Sequence, residues 1–198
     1  MLVGLFFGSF NPIHTGHLII ATHIINNTNL DEIWFVVSPQ NPFKSSASLL
    51  NQQHRLNLIK TAIEGEQKIK ASNIEFCLPK PSFTIDTLQY LKEKYPQDVF
   101  SIILGSDGLQ NFTNWKNYQS ILKSSSIYVY PRPGFDIKFI QGATIHKLKA
   151  PLLDISSTYI RELIRGKKNI RYLVPDKVKE EIERNGYYSS KLENPTKQ

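Results

Sequence analysis

His14 and His17 stand three residues apart, with Gly16 between them, in a segment that reads GSFNPIHTGH from Gly8. Residues three apart at the start of a helix lie on the same face, so both imidazoles can act on one ligand. The N-terminus of a helix also presents unpaired N–H groups and a positive dipole end to an anion. Gly16 has no side chain, which lets a phosphate or a ribose approach the backbone closely. The pattern therefore predicts a turn that binds phosphate groups.

Two other interpretations of this histidine pair stay open from the residues alone. A single histidine most often has a structural role. Two histidines that flank a glycine in such a turn more often bind a ligand. Imidazoles three residues apart can also share a zinc ion, but a zinc site needs further ligands. No nearby Cys, Asp or Glu supplies a third ligand. We therefore predict that the protein itself holds no metal ion here.

A second group of polar side chains lies near the other end of the chain, where the run Ser-Ser-Thr at 156–158 precedes Arg161. Three consecutive hydroxyls at a helix start can cap backbone N–H groups or bind phosphate oxygens. The helical period places Arg161 and Arg165 one turn apart on a more exposed face. Simple capping beside a surface arginine is the alternative, and this segment taken alone does not decide between the two.

Strands and helices that alternate along the chain are expected to position these groups. An apolar run over residues 1–7, helical spacing from about residue 14 and a second apolar run over 33–37 predict a strand–helix–strand unit. The alternation predicts one α/β domain over 1–198, with a doubly wound, mostly parallel sheet and a C-terminal helical cap from about residue 156. The remaining predicted elements are helices at 52–64, 84–95, 157–165 and 175–185, strands at 68–78, 99–104, 127–130 and 144–149, and a frayed tail from about residue 187.

The charge balance favours anionic partners. The chain of 198 residues has 24 Lys+Arg against 17 Asp+Glu, a formal net charge of +7. Such a surplus suits nucleic acid or phosphorylated small molecules. We find no helix-turn-helix pattern, zinc-knuckle pattern or aromatic-rich RNA-binding run, so we predict no nucleic-acid partner. A nucleic-acid-binding module is kept as the rival class.

Cysteine content and hydropathy bear on the compartment. Cys77 is the only cysteine, so no internal disulfide can form, and its apolar surroundings at 74–78 predict a small core residue. No apolar run approaches the ~20 residues that span a bilayer, and the N-terminus lacks the pattern of a signal peptide. We therefore predict a cytoplasmic protein without a membrane partner.

Taken together, the motifs resemble the H-x-G-H nucleotidyltransferase superfamily and, within it, the bacterial nicotinate-nucleotide adenylyltransferases. The resemblance covers nearly the whole chain and implies a Rossmann-like sheet. The chain departs from the usual family pattern at three positions. Ser9 and Ser106 replace other small residues, and Phe43 stands where the family commonly has a histidine. The matching segments are 8–17, 39–44, 82–87, 104–107, 115–116, 132–134, 155–161 and 170–175.

The resemblance implies adenylyl transfer from ATP, with Mg²⁺, to nicotinate mononucleotide, which gives nicotinate adenine dinucleotide and pyrophosphate. Another member of the superfamily, such as a pantetheine-phosphate adenylyltransferase or a cytidylyltransferase, is the nearest alternative. The resemblance implies catalytic roles for His14, His17, Lys44 and Arg161, ATP contacts for Gly8, Ser9, Phe10, Gly16, Gly105, Asp107, Ser156, Ser157 and Thr158, and acceptor contacts for Phe83, Thr84 and Trp115.

Three of these roles have their own alternatives. Asp107 is expected to orient a ribose, but an Asp just past a strand end can instead be a helix N-cap. Trp115 is expected to stack on the pyridine ring, but it can also be a core or half-exposed aromatic. Backbone N–H groups near Phe83 and Thr84, at a predicted helix start, are expected to receive the nicotinate carboxylate.

Overall fold

Six parallel strands form the centre of the computed structural model, which describes residues 1–40 and 49–189. The strand order in the sheet is β3-β2-β1-β4-β5-β6, so the chain winds outward in both directions from β1. This order confirms the predicted doubly wound α/β fold. The strands are β1 (Leu2–Gly8), β2 (Glu32–Val37), β3 (Ile69–Ser72), β4 (Val99–Gly105), β5 (Ile127–Tyr130) and β6 (Ile145–Lys147).

Helices cover both faces of the sheet. They are α1 (Thr15–Asn27), α2 (Gln52–Ala62), α3 (Thr84–Lys94), α4 (Ser106–Leu109), α5 (Tyr118–Ser124), α6 (Ser157–Arg165) and α7 (Asp176–Asn185). Successive strand side chains point to opposite faces, so Leu5 packs in the apolar cluster beside α3 and α5, while Phe6 packs in the cluster beside α1 and α2. The C-terminal helices α6 and α7 join the second of these clusters and thereby extend the layer formed by α1 and α2.

The neighbouring strands β1 and β4 mark the point where the strand order reverses. Their connections leave toward opposite sides of the sheet, and a crevice opens at their carboxyl ends between Gly8 and Gly105. Open α/β sheets bind ligands at this position. The fold therefore brings the turn after β1 and the turn after β4 to the two walls of one cleft.

The strand predicted over 68–78 is too long. β3 ends at Ser72, and Ile74–Cys77 form a 3₁₀ turn. The turn buries two consecutive residues, Ile74 and Glu75, which the alternating geometry of a strand facing solvent on one side cannot do. The prediction of Cys77 as a core residue is also wrong: its side chain is exposed at the end of this turn.

Two further segments differ from the sequence-based expectation. The frayed tail was expected from about residue 187, but Tyr187 and Tyr188 pack against the apolar cluster of α2 and α7. Residues 106–124 carry α4, a 3₁₀ turn at Phe112–Asn114 and α5, none of which was predicted, because each is too short to show a helical period. No helix within the described residues is long and apolar enough to cross a bilayer.

Candidate active site

The cleft at the carboxyl ends of β1 and β4 has a volume of about 790 Å³. It collects predicted site residues from segments that are distant in the sequence. Lys44 and Phe43 lie outside the described residues. The remaining predicted site residues all line the cleft: Gly8, Ser9, Phe10, His14, Gly16, His17, Phe83, Thr84, Gly105, Asp107, Trp115, Ser156, Ser157, Thr158 and Arg161.

The two histidines form a stacked pair at the N-terminus of α1. His14 is the N-cap residue, and the imidazole centroids lie 3.7 Å apart with an interplanar angle of 27°. The backbone N–H of His14 donates a hydrogen bond to Nδ1 of His17 at 3.3 Å. Because that nitrogen accepts, a neutral His17 carries its proton on Nε2, which makes Nε2 the donor. The predicted shared face of His14 and His17 is thus confirmed by the geometry.

His14 is held in its neutral form. Its side chain is buried, and burial, followed by the positive charge of Arg132, lowers its pKa to about 4. Its Nδ1 has no hydrogen-bond partner among the described residues. A buried imidazole in this state can offer one N–H to an anion without bringing a charge of its own.

We predict that this histidine makes the folded state sensitive to acid. A pKa near 4 in the folded state and near 6.5 in the unfolded state means that the unfolded chain binds more protons between these values. The free energy of unfolding should therefore fall as the pH drops from 6.5 to 4, by up to about 3 kcal/mol from His14 alone. Urea unfolding at several pH values measures this loss.

His14→Gln should flatten that pH dependence, and His23→Gln on the same helix serves as the matched control. His14→Gln and His23→Gln curves that both follow the wild type would show that His14 is not held neutral.

Gly16 and Phe10 shape the space around the imidazoles. A Cβ atom at Gly16 would lie 3.0 Å from Nδ1 of His14, so the glycine makes room for that ring. Phe10 adopts a left-handed backbone conformation (φ 45°), and its buried ring meets the His17 ring edge-on at 5.0 Å between centroids. A bulky residue with positive φ is uncommon and occurs where surrounding contacts enforce it. Phe10 therefore supports the position of His17.

Arg55, which no sequence motif marks as a site residue, organises the backbone of this turn. Its side chain is fully buried and donates four hydrogen bonds to main-chain carbonyls. The acceptors are Ser9 at 2.5 Å, Leu50 at 2.8 Å, Ser38 at 2.9 Å and Pro39 at 3.2 Å. One guanidinium thus joins the turn after β1 to both described ends of the loop after β2.

The hydroxyl run at the start of α6 has structural partners as well as a place in the cleft. Ser156 is the N-cap, and its Oγ accepts a hydrogen bond from the backbone N–H of Tyr159 at 3.2 Å. Ser157 donates to the carbonyl oxygen of Pro12 at 2.8 Å. Helix capping, the alternative to phosphate binding, is therefore confirmed for Ser156. Ser157 fixes α6 against the turn that carries the histidines.

Arg161 reaches the same turn from α6. Its Nη1 donates to the carbonyl oxygen of Asn11 at 2.7 Å, and its Nη2 donates to the hydroxyl of Thr158 at 3.3 Å. Its Nε is buried and has no hydrogen-bond partner among the described residues. Arg165, one turn later, is exposed. Of the two arginines that the helical period places on one face, Arg161 is the partly buried one and lines the cleft.

Asp107 lies in the first turn of α4 on the opposite wall. The N-cap of α4 is Gly105, so the alternative that Asp107 is an N-cap is wrong. A Cβ atom at Gly105 would collide with the Asp107 carboxylate, which explains the glycine. Arg132 places its Nε 4.0 Å from this carboxylate and also lines the cleft. Arg132 belongs to the matching segment 132–134, and no local pattern predicts its place beside Asp107.

The far end of the cleft contains the start of α3. Phe83 is the N-cap, and Thr84 is the first helical residue, as predicted. The buried carboxylate of Glu75 accepts hydrogen bonds from Ser82 at 2.7 Å and from Thr87 at 2.9 Å. Burial raises the pKa of Glu75, and these hydroxyls oppose that shift. Glu75 therefore ties the first turn of α3 to the 3₁₀ turn, a contact that no local pattern signals.

Trp115 stands beside this helix start, in the segment between β4 and α5. Its ring packs against Phe112 with centroids 4.9 Å apart, and the residue is half-buried. Lys116 forms an ion pair with Asp86 at 3.0 Å and lies 4.7 Å above the centre of the Phe83 ring. The Trp115 segment is thereby linked to α3, and Trp115 lines the cleft.

Within the described ranges, no three His, Cys, Asp or Glu side chains come together in a group that could hold a metal ion. The cleft presents hydrogen-bond donors at the N-termini of α1, α3 and α6 and on Arg132, Arg161 and Lys116, beside the carboxylates of Glu75 and Asp107. Donors and helix N-termini favour phosphate and carboxylate groups. This arrangement can hold several anionic groups at once.

Comparison with known proteins agrees with this geometry. Residues 5–163 match the cytidylyltransferase-like family. A Cytophaga hutchinsonii relative named "Probable nicotinate-nucleotide adenylyltransferase" is 53% identical over 191 residues, which are 96% of this chain and 100% of the relative. A Flavobacterium psychrophilum relative of the same name is 49% identical over 95% of this chain and 99% of its own length.

A solved structure shares the fold. It is named Plasmodium falciparum nicotinic acid mononucleotide adenylyltransferase complexed with NaAD, and it superposes with a TM-score of 0.82. The match covers 97% of this chain and 99% of that chain at 24% identity, a level at which the likeness speaks to the fold alone. The family match and the close relatives carry the assignment further. The chain belongs to the nicotinate-nucleotide adenylyltransferase family of cytidylyltransferase-like nucleotidyltransferases.

Proposed function

We propose that this protein transfers the adenylyl group of ATP to nicotinate mononucleotide and releases pyrophosphate. The observation that carries the proposal is the stacked pair of His14 and His17 at the start of α1, beside Arg161 from α6, in one cleft. The names of relatives at up to 53% identity support the choice of substrates. We place the reaction in the cytoplasm, because a chain with one cysteine suits a reducing compartment.

In this reaction an oxygen of the mononucleotide's 5′-phosphate attacks the α-phosphorus of ATP. A new P–O bond forms, the bond from the α-phosphorus to the bridging oxygen breaks, and its electron pair leaves with pyrophosphate. A phosphate monoester with a second pKa near 6 is already mostly dianionic at neutral pH, so its attack requires no general base. Positioning of the reactants and neutralisation of the charge on the leaving group account for the catalysis.

The donors of the cleft suit these tasks. We assign the Nε2–H of His17, the N–H of neutral His14 and the guanidinium of Arg161 to the phosphates of ATP. Lys44, outside the described residues, is proposed as a further cation. ATP is expected to arrive with Mg²⁺ bound to its own phosphate oxygens, as this ion commonly binds in nucleotide sites. Backbone groups at Gly8, Ser9, Phe10, Gly16 and Gly105, the hydroxyls of residues 156–158 and the Asp107 carboxylate on a ribose complete the proposed ATP contacts.

We assign the acceptor to the end of the cleft near α3. Trp115 is proposed to stack on the pyridine ring, and backbone N–H groups at Phe83 and Thr84 are proposed to receive the nicotinate carboxylate. A carboxylate only accepts hydrogen bonds, whereas a carboxamide nitrogen carries two N–H donors. The N–H groups of such a receptor cannot form hydrogen bonds to the N–H groups of the amide, so nicotinamide would leave receptor donors unpaired. The dipole of α3 adds a preference for a negatively charged ligand.

The test is a steady-state assay of pyrophosphate release with a panel of acceptors. Nicotinate mononucleotide should exceed nicotinamide mononucleotide at least about tenfold in kcat/KM, since unpaired buried donors cost roughly 1–3 kcal/mol and 1.4 kcal/mol is one decade. Equal values would refute the carboxylate receptor. Faster turnover with phosphopantetheine as the acceptor, or with CTP in place of ATP, would refute the proposed function in favour of another member of the superfamily.

A further inference from the structure

Two tyrosines at the C-terminal end of the described chain fold back onto the helices that carry the cleft. Helix α7 ends at Asn185, and its C-cap Gly186 has a left-handed conformation that reverses the chain. The backbone N–H of Tyr187 donates to the carbonyl oxygen of Ile182 at 3.0 Å. The Tyr187 hydroxyl bonds to Nδ1 of His54 in α2 at 2.9 Å. Tyr188 is also left-handed (φ 65°) and packs against the apolar cluster. The turn is therefore held by contacts on both tyrosines.

The hydroxyl of Tyr188 points into the interior, toward two arginines. It is buried and has no hydrogen-bond partner among the described residues. Burial raises the pKa of Tyr188, and the positive charges of Arg55 and Arg161 oppose that rise. Tyr188 in turn affects the pKa of Arg55 and of Arg161, so both guanidinium groups lie within electrostatic range of the phenol, which is uncharged at neutral pH. The phenol oxygen thus lies in the combined field of the two guanidinium groups that organise the cleft.

The hydrogen-bonding needs of these groups are complementary. Arg55 already uses four of its N–H groups on main-chain carbonyls. Arg161 uses both terminal nitrogens, toward Asn11 and Thr158, while its Nε–H is buried without a partner among the described residues. A guanidinium Nε–H only donates, and a phenol oxygen can accept. Buried polar groups are normally paired, directly or through an ordered water.

We propose that Tyr188 is a positioning residue for Arg161, whose Nε–H donates to a water molecule that bridges it to the Tyr188 hydroxyl. An anchor at Nε fixes the plane of the guanidinium and leaves one N–H of each terminal nitrogen to bind ligand. Bidentate binding of phosphate depends on that plane. The C-terminal turn, remote from the reacting phosphorus, thereby contributes to binding of ATP.

The first test observes the hydrogen bond itself and is independent of any activity. In ¹H–¹⁵N NMR spectra of arginine side chains, the Nε–H of Arg161 should exchange with solvent more slowly than that of exposed Arg165. Tyr188→Phe should speed the exchange at Arg161 about tenfold, as expected when a hydrogen bond to a charged group is lost. Tyr187→Phe removes a hydroxyl from the adjacent residue and should leave that exchange unchanged. Equal exchange in both variants would overturn the inference.

The second test measures the consequence for ATP, and it rests on the proposed function. Tyr188→Phe should lower kcat/KM for ATP about tenfold, mainly through a higher KM, while Tyr187→Phe should keep the wild-type value. If the two tyrosines only stabilise the fold, both substitutions should lower Tm and leave the KM for ATP unchanged. Faster exchange at Arg161 with unchanged kcat/KM would overturn the positioning role. If the wild type transferred no adenylyl group, the proposed function would fail, and the exchange measurement alone would decide the hydrogen bond.

Discussion

Replacing His17 by alanine is expected to lower kcat for adenylyl transfer by about 10²–10³-fold, the scale observed when a pre-positioned donor to developing charge is removed. The donor is pre-positioned here by its surroundings. The His14 backbone N–H occupies Nδ1, and the Phe10 ring abuts the imidazole edge-on. Little reorganisation is then needed when charge moves onto the leaving pyrophosphate. Single-turnover kinetics with saturating ATP and acceptor measure the chemical step.

Two amide variants identify which nitrogen of His17 acts. The amide nitrogen of glutamine can lie close to the position of Nε2, whereas that of asparagine lies closer to Nδ1. If Nε2–H is the donor, His17→Gln should retain more activity than His17→Asn. His23→Ala, on the same helix and outside the cleft lining, is the matched control. Wild-type kcat in a folded His17→Ala protein would reduce His17 to a structural role.

Periodicity was sufficient for the parts of the fold that repeat. Apolar runs predicted β1, β2, β4 and β5, because strands in a parallel sheet are buried on both faces. The turn from Gly8 to His17 was identified from residue types alone, since a glycine flanked by histidines at a helix start carries a chemical signal as well as a structural one. These predictions depend on local sequence, and local sequence suffices for them.

The contacts that hold the cleft together could not be predicted in this way. Arg55 lies one turn before Ile59 on the buried face of α2, but the sequence does not show which groups would pair with a buried guanidinium there. Glu75 sits in a segment that resembles a strand, and Tyr188 in one that resembles a tail. Each is buried because its partners come from distant segments, and a single sequence does not reveal such pairings. The resemblance to a family supplied site residues but not these supports.

Arg55→Met is expected to lower the free energy of unfolding by roughly 3–5 kcal/mol, because it removes the donor of four main-chain carbonyls. Burial lowers the pKa of Arg55 to about 10, so the group still carries its charge at neutral pH. Its loss leaves the carbonyls of Ser9, Ser38, Pro39 and Leu50 without their shared donor. Each buried acceptor without a partner costs about 1–3 kcal/mol, and partial relaxation of the loops keeps the total below the sum.

Urea unfolding of Arg55→Met beside Lys60→Met tests this expectation, because Lys60 is an exposed cation on the same helix. Lys60→Met should remain within about 0.5 kcal/mol of the wild type. If Arg55→Met does not fold, Arg55→Lys should fold with an intermediate loss in the free energy of unfolding. The ammonium of lysine keeps the charge but lacks the planar, five-donor guanidinium that reaches all four carbonyls. The carbonyl of Ser9 belongs to the turn that carries the histidines, so Arg55→Lys should also lower kcat/KM. An Arg55→Lys protein with wild-type stability and kinetics would show that the turn after β1 holds its shape without this guanidinium.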